Sequence, residues 1–218
     1  MIGLYVTVPV ACFRKGLARE YLETEPLPPP STCYGFLLSL VGETTRARHV
    51  GCRVAPGIFG HPAQSVVLRT VWRVKKTPLG SSGNTRPDYQ QLLTGIELLI
   101  WLDSSGEKDE NGPTLEKRVV AAMQSPDSIS RFGGLSLGES THLVDEVCIV
   151  DSRIQSRLHD KKPRSFLLHP SGRMTLPVWV DHVGSAGTRY VVGNIADTSL
   201  EPPSLERMPV IEPPSPFA

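Results

Sequence analysis

The 218-residue chain contains 39% hydrophobic and 21% charged residues, a composition typical of a globular protein with one large or two small domains. Its 20 prolines and 19 glycines indicate many turns and argue against a helical bundle. The formal net charge is +1, so any contact with a nucleic acid depends on local clusters of cations and not on the charge of the whole molecule.

The chain opens with an apolar segment, MIGLYVTVPVACF, that predicts a strand over residues 2–9. Leu4, Val6 and Val8 alternate with Tyr5 and Thr7, and no basic region precedes them, so the segment differs from a signal sequence. No apolar run approaches the length of a membrane span, and the expected location is the cytoplasm. A charged loop that ends in prolines follows, and it holds Arg14, Lys15 and Arg19.

The next segment, STCYGFLLSLVGE, predicts a helix over residues 31–43 because its large apolar residues recur at the spacing of one helical face. Ser31 or Thr32 is expected to cap the N-terminus of this helix, and Gly42 its C-terminus. A second loop then contains the basic residues Arg46, Arg48, His49 and Arg53.

Residues 65–76, SVVLRTVWRVKK, alternate with period two and predict a strand. One of its faces is apolar, and the other gains positive charge towards Arg73 and Lys75, with Lys76 beside them. A turn-rich excursion follows and contains Arg86 and Tyr89. Residues 95–103, GIELLIWLD, then predict a central strand that is buried on both faces.

A second helix is predicted over residues 114–124, and a fourth strand over residues 142–151. The order strand, helix, strand, strand, helix, strand predicts an α+β fold of the ferredoxin-like or RRM-like type. After residue 151 a hairpin and one further strand predict a small β-rich extension to residue 196. Residues 197–218 are proline-rich and are expected to form an extended or disordered tail.

The stretch RFGGLSLGES, residues 131–140, brings Gly133, Gly134 and Gly138 together with Arg131 and Ser136. Its spacing matches neither the dinucleotide-binding fingerprint nor a P-loop. Two explanations stay open: backbone N–H groups meet phosphate oxygens there, or the glycines form a bulged turn that packs against the sheet.

Signs of an active site are sparse. The six histidines show no metal-binding spacing, and the four cysteines form no C-x-x-C pair and read as reduced thiols. A serine nucleophile motif, G-x-S-x-G, is also missing. The sequence therefore predicts no catalytic residue, no metal and no other cofactor.

The basic loops and the basic strand favour RNA binding, because phosphates are bound by arginine and lysine and splayed bases stack on aromatic or guanidinium planes. The predicted RNA-binding set is Arg14, Lys15, Arg19, Arg46, Arg48, Arg73, Lys75, Lys76, Arg86, Tyr89, Arg131, Gly133, Gly134, Ser136 and Gly138.

Three segments in this order, PPPSTCYGFLLSLVGE, VWRVKK…RPDYQQLLTGIELLIWL and RFGGLSLGESTHLVDEV, resemble the Cas-five family of CRISPR-associated proteins. The nearest branch is the DevS-like one of type I-B systems, and the resemblance covers residues 1–150. It implies a RAMP-type domain, ferredoxin-like, with a protruding β-hairpin called the thumb at about residues 72–97.

The resemblance also implies a single copy in a hetero-oligomer, the Cascade surveillance complex. There the subunit would bind the 5′ handle of the CRISPR RNA, contact the backbone subunit and the large PAM-reading subunit, and lie near the target DNA. The glycine-rich stretch would then meet the RNA backbone. Whether the complex serves defence or guides a transposon is left open by the sequence.

Two alternatives remain. One branch of the family is a metal-independent endoribonuclease, and His49, Tyr34 and Lys75 or Lys76 are the residues available here for acid–base chemistry. The second alternative is a scaffold that contacts only proteins. Phe166, Leu167 and Trp179 in the C-terminal hairpin are expected to serve either such contacts or the core.

Overall fold

In a computed structural model the chain is described over residues 1–16, 18, 20–72, 78, 80–109, 111–183 and 185–214. Within these ranges it forms three α-helices, α1 (Pro30–Leu40), α2 (Leu115–Gln124) and α3 (Ser152–Arg157). The strands are β1 (Ile2–Ala11), β2 (Tyr21–Leu22), β3 (Arg53–Phe59), β4 (Ala63–Trp72), β5 (Thr85–Asp103), β6 (Glu146–Ile149), β7 (Pro163–Leu168), β8 (Met174–Trp179) and β9 (Arg189–Asp197). None of the helices in these ranges has the length and apolar character needed to cross a membrane.

A single, largely antiparallel sheet runs through the molecule in the order β6-β1-β5-β3-β7-β9-β8, with β2 and β4 also paired to β5. The main core lies on the face covered by α1 and α2. A smaller cluster lies on the opposite face, where α3 and the C-terminal tail cover Tyr5 and Trp101. The side chains of β1 contribute to both clusters, because successive residues of a strand point to opposite faces of the sheet. The expected mixed α and β class is confirmed.

Strand β3 lies between β5 and β7 in the sheet, although its first residue was predicted to lie in a loop. The prediction failed because Pro56 and Gly57 are turn residues in most contexts. On one edge of β3, Val54 donates its backbone N–H to Pro209 O at 2.9 Å, and pairing with β7 begins only at Gly57. Pro56 lies in the gap between these two partners. Because no neighbouring strand needs an N–H there, the proline costs no hydrogen bond of the sheet. At Gly57 a Cβ atom would lie 2.6 Å from Ser165 Oγ, which explains the glycine.

The part of the predicted strand that the structure describes, β4, lies off the main strand path of the sheet. It pairs only with the first half of β5, from Ala63–Thr94 to Trp72–Thr85, and the two form a protruding hairpin. Gly95, with φ +67, separates this half of β5 from the half that pairs with β3. The hairpin thus starts about nine residues earlier than the thumb expected from the resemblance, and residues 73–77 and 79 lie outside the described residues.

Helix α1 begins at Pro30 after an N-cap at Pro29 that makes no side-chain hydrogen bond, so the expected Ser31 or Thr32 cap is wrong. A proline fits the first helical position because its missing N–H has no partner to lose there. The expected C-terminal glycine is confirmed: Gly42 has φ +65 and donates to Ser39 O, while Glu43 donates to Leu38 O. These two bonds form a Schellman motif.

The C-terminal segment continues the same sheet. Phe166 and Leu167 are buried in the core and do not face outward. The tail is docked on the sheet: Met208 and Ile211 are completely buried, and Leu205–Arg207 form a short 3-10 helix before them. Ile211 donates to Cys52 O at 2.8 Å and accepts from Gly51, so the tail lengthens the sheet beside the start of β3.

Candidate nucleic-acid interface

A groove of about 680 Å³ runs along α1. Its other walls are the loop of residues 130–138 and the end of β8 with residues 180–182. Four members of the predicted RNA-binding set line it: Arg46 from the loop after α1, and Arg131, Ser136 and Gly138 from the glycine-rich loop. Phe132, Trp179 and His182 line it as well and were not in that set. We call this surface the α1 groove.

Arg46 is held rigidly at one side of the α1 groove. Its guanidinium carbon lies 3.8 Å from the centroid of the Trp179 ring, and its Nη2 donates to Val180 O at 2.6 Å. Tyr34 fixes the backbone at the same point, since its hydroxyl donates to Arg46 O at 2.7 Å. Burial lowers the pKa of the Arg46 guanidinium, although Tyr34 and Asp181 raise it, and the group stays charged at neutral pH.

The α1 groove is poor in acids. Glu43 is the only carboxylate among its described lining residues. Burial raises the pKa of Glu43, but hydrogen bonds from Arg118 and from the Thr45 N–H lower it more, to about 2. Glu43 is therefore ionised, and its charge is balanced by Arg118 and by Arg48, whose Nη1 lies 3.1 Å away. Arg48 itself is thus engaged in an ion pair and does not line the groove.

The glycine-rich loop contributes its residues in two different ways. Gly133 has φ +77 with open space around the position of a Cβ atom, and Phe132 beside it is fully exposed. Gly138 has φ +105, and a Cβ atom there would lie 3.0 Å from Cys12 O. Gly138 is therefore required by close packing against the end of β1, whereas the part around Gly133 faces solvent. Gly134 packs near Leu143, and Ser136 forms a β-bridge with that residue.

His142 anchors this loop. Its Nδ1 accepts the N–H of Cys12 at 3.3 Å and the N–H of Glu139 at 3.1 Å. Burial lowers the pKa of His142 and Arg69 lowers it further, although Glu139 raises it. A proton on Nδ1 would break both hydrogen bonds, so the loop is anchored by the neutral imidazole.

A second basic cluster lies along the hairpin. Here the cations face acids: Lys15 is 3.7 Å from Glu23, and Arg86 is 2.8 Å from Glu20. Arg14 is exposed and forms a β-bridge with Thr24. The remaining predicted cations, Arg19, Arg73, Lys75 and Lys76, lie outside the described residues.

The glycine-rich loop connects the two clusters. Glu139 accepts a hydrogen bond from Gln90 of the hairpin at 2.9 Å and lies 3.7 Å from Arg69. Arg131, Phe132, Ser136 and Gly138 of the same loop line the α1 groove. The predicted residues therefore do not form one patch, but two patches that meet at this loop.

The hairpin also carries a feature that sequence reasoning had not used. One face exposes large apolar side chains, and cross-strand register brings them together: Leu68 opposes Tyr89, and Tyr89 opposes Tyr21 of β2. Their exposed fractions are 63%, 47% and 44%. The sequence shows apolar residues at every second position of β4. It does not show that this face is exposed, because the exposure results from the protrusion of the hairpin.

Of the residues named for ribonuclease chemistry, His49 and Tyr34 are buried, and Lys75 and Lys76 lie outside the described residues. The His49 side chain is 2% exposed, its Nδ1 is 2.7 Å from Glu107, and its Nε2 is 3.0 Å from Arg118. Burial raises the pKa of the Tyr34 hydroxyl, which donates to a backbone carbonyl. Within the ranges that the structure describes, no group of three or more His, Cys, Asp or Glu residues is placed to hold a metal ion.

Comparison with known proteins gives one strong relative. No family model matches the chain. A protein named "CRISPR-associated protein Cas5", from Myxococcus xanthus (strain DK1622), is 52% identical over 217 residues, which cover 97% of this chain and 97% of that protein.

Two solved structures share the fold. One, titled "CRISPR RNA-guided surveillance complex", has a TM-score of 0.59 at 12% identity and covers 90% of this chain and 89% of its own. The other, titled "Crystal structure of Cas protein", has a TM-score of 0.50 at 11% identity and covers 90% and 93%. The identity and coverage of the sequence relative show that this chain belongs to the Cas5 family of CRISPR-associated proteins.

Proposed function

We propose that this chain is the subunit of a type I Cascade surveillance complex that binds the 5′ handle of the CRISPR RNA. The observation that carries the proposal is the convergence of Arg46 and of Arg131, Ser136 and Gly138 on the α1 groove from two loops that are about 85 residues apart in the sequence. Its cations and hydroxyls suit phosphates and riboses, and its aromatic rings suit splayed bases.

The finer features of the family are part of the same proposal. The strand order β6-β1-β5-β3, with α1 and α2 on one face, supports a ferredoxin-like RAMP domain. The β4–β5 hairpin supports a thumb that meets the guide RNA or the first backbone subunit. We infer one copy per complex, contact with the large PAM-reading subunit, and membership of the type I-B branch.

The test is co-purification. The tagged chain would be expressed with the proteins encoded beside its gene and with the CRISPR array, and the 5′ ends of the bound RNA would be sequenced. A stoichiometric complex with one uniform, repeat-derived 5′ end supports the proposal. Recovery of the chain without RNA would contradict it, and recovery of the assembled proteins without RNA would favour a protein-only scaffold.

We also propose that the chain does not cut RNA itself. The support is that His49 and Tyr34, two of the acid–base candidates, are buried and hydrogen-bonded within the protein. A general base must reach the proton that it removes. Incubation of the purified chain with repeat RNA in EDTA should leave the RNA intact, and cleavage that is lost in His49→Ala would refute this part.

A further inference from the structure

The proposed function assigns no specific role to the contact between Arg46 and Trp179. The two side chains form a cation–π stack at 3.8 Å, and the guanidinium is further fixed by its 2.6 Å hydrogen bond to Val180 O. Both residues line the α1 groove. A guanidinium held this close over an indole ring is a planar, positively charged group that is positioned before any ligand arrives.

The surroundings of this stack restrict what it can bind. Phe132, 106% exposed, stands on the glycine-rich loop that forms another wall, and Arg131 is its neighbour. Exposure of a whole phenyl ring to water is unfavourable, and a flat apolar partner would relieve it. A cavity of about 680 Å³ is wide enough for a ligand of drug-like size.

The polar lining points to a nucleotide in preference to an apolar peptide. Arg46, Arg131 and His182 contribute cationic or donor groups, and Ser130 and Ser136 add hydroxyls beside them. The one lining carboxylate, Glu43, is already balanced by two arginines. Aromatic and guanidinium planes next to phosphate-binding cations are the combination that holds single-stranded nucleic acid.

We propose that the Arg46–Trp179 stack is the platform for one unpaired base of the guide RNA, and that Arg131 holds a phosphate adjacent to that base. This inference rests on the proposed function and deepens it, because it names one nucleotide subsite within the α1 groove. Because any base can stack, the subsite requires a base at this position but does not select its identity.

The experiment uses the reconstituted complex with synthetic guide RNAs that carry 2-aminopurine at one repeat-derived position at a time. In the wild type, one position should show strongly quenched fluorescence, since the base is stacked. Trp179→Ala should restore the fluorescence at that position and weaken binding of the RNA about 10-fold, the effect of losing one stacked base. An abasic site at the same position should lower wild-type affinity similarly and leave the variant unchanged.

Two further variants separate this role from folding. Arg46→Lys keeps the charge but removes the plane, and it should restore fluorescence at the same position in an assembled complex. Tyr190→Ala removes another aromatic ring, 48% exposed and outside the groove lining, and should change nothing.

Failure of the proposed subsite can be told apart from failure of the proposed function. If the complex holds RNA with a uniform 5′ end but Arg46→Lys and Trp179→Ala alter no position, the subsite is refuted and the proposed function stands. If no RNA is bound by the wild-type complex, the proposed function fails first, and the subsite with it.

Discussion

Gly138 and His142 show how single residues fix the loop that joins the two candidate RNA-binding surfaces. Gly138 allows the backbone to approach Cys12 O, and His142 Nδ1 accepts two backbone N–H groups at that point. Both contacts lie within the protein, so this half of the loop is explained by packing. The other half, around Arg131 and Gly133, remains free to meet a ligand from the α1 groove side.

The His142 anchor makes the stability of the protein depend on pH. The pKa of His142 is lower in the folded state than in the unfolded chain, so its contribution is present above the unfolded pKa of about 6.5 and is lost as the pH falls below it. His142→Asn keeps an acceptor near the Nδ1 position and does not titrate. Between pH 7.5 and 5.5 the wild type should lose more unfolding free energy than this variant, because only the unfolded wild-type imidazole takes up its proton at the ordinary pKa. Urea titrations at both pH values measure the difference, and equal losses would show that the anchor is not the neutral imidazole.

At the scale of elements, the C-terminus of α1 is locked to the base of the glycine-rich loop. Gly42 ends the helix with φ +65, and a Cβ atom there would lie 2.4 Å from Ser130 O. Ser130 and α1 both line the α1 groove. The geometry of the groove therefore depends on a helix cap and not on side-chain contacts alone.

Gly42→Ala and Gly60→Ala form a matched pair that tests this lock. The two glycines have nearly equal φ values of +65 and +61, but Gly60 has nothing within 4 Å of its Cβ position. Gly60→Ala should cost about 1 kcal/mol for the left-handed backbone, and Gly42→Ala about 3 kcal/mol, since a backbone atom must also move. Thermal or urea unfolding measures both. Equal losses would mean that the helix end and the loop are not tightly packed.

How much of this architecture the sequence predicts depends on whether the signal is local. The periodic patterns of β1, α1 and α2 are local, and those elements lie where they were predicted. Strand β3 was missed because Pro56 is acceptable only in the gap between the tail and β7, which is a tertiary feature. Trp179 was not recognised as a site residue for the same reason: its importance comes from Arg46, more than 130 positions away, which the fold brings onto its ring.

At the scale of the whole molecule, the C-terminal tail joins regions that are far apart in sequence. Met208 is completely buried in the cluster behind the sheet, together with residues of β1, β5, β7 and α3. The tail residues 209–211 hydrogen-bond to residues 51–54 beside β3. Residues 208–211 of the tail are thus part of the fold that supports the sheet.

Truncation of the Met208 side chain should measure this role. Met208→Ala should lower the free energy of unfolding by about 3 kcal/mol, because it removes a fully buried side chain from a packed cluster. Leu205→Ala, three residues earlier and 39% exposed, should cost less than about 1 kcal/mol. If the two variants are equally stable, the tail is not docked as described.

The central claim is that the α1 groove holds the 5′ end of the guide RNA, and cross-linking tests it most directly. The purified complex would be irradiated with ultraviolet light, and the cross-linked peptides and nucleotides identified by mass spectrometry. We expect repeat-derived 5′ nucleotides to cross-link to peptides containing residues 130–138 or 178–182. Arg131→Glu should weaken these cross-links. Lys117→Glu, on the exposed side of α2, should leave them unchanged. Cross-links from those nucleotides only to peptides outside the groove would contradict it.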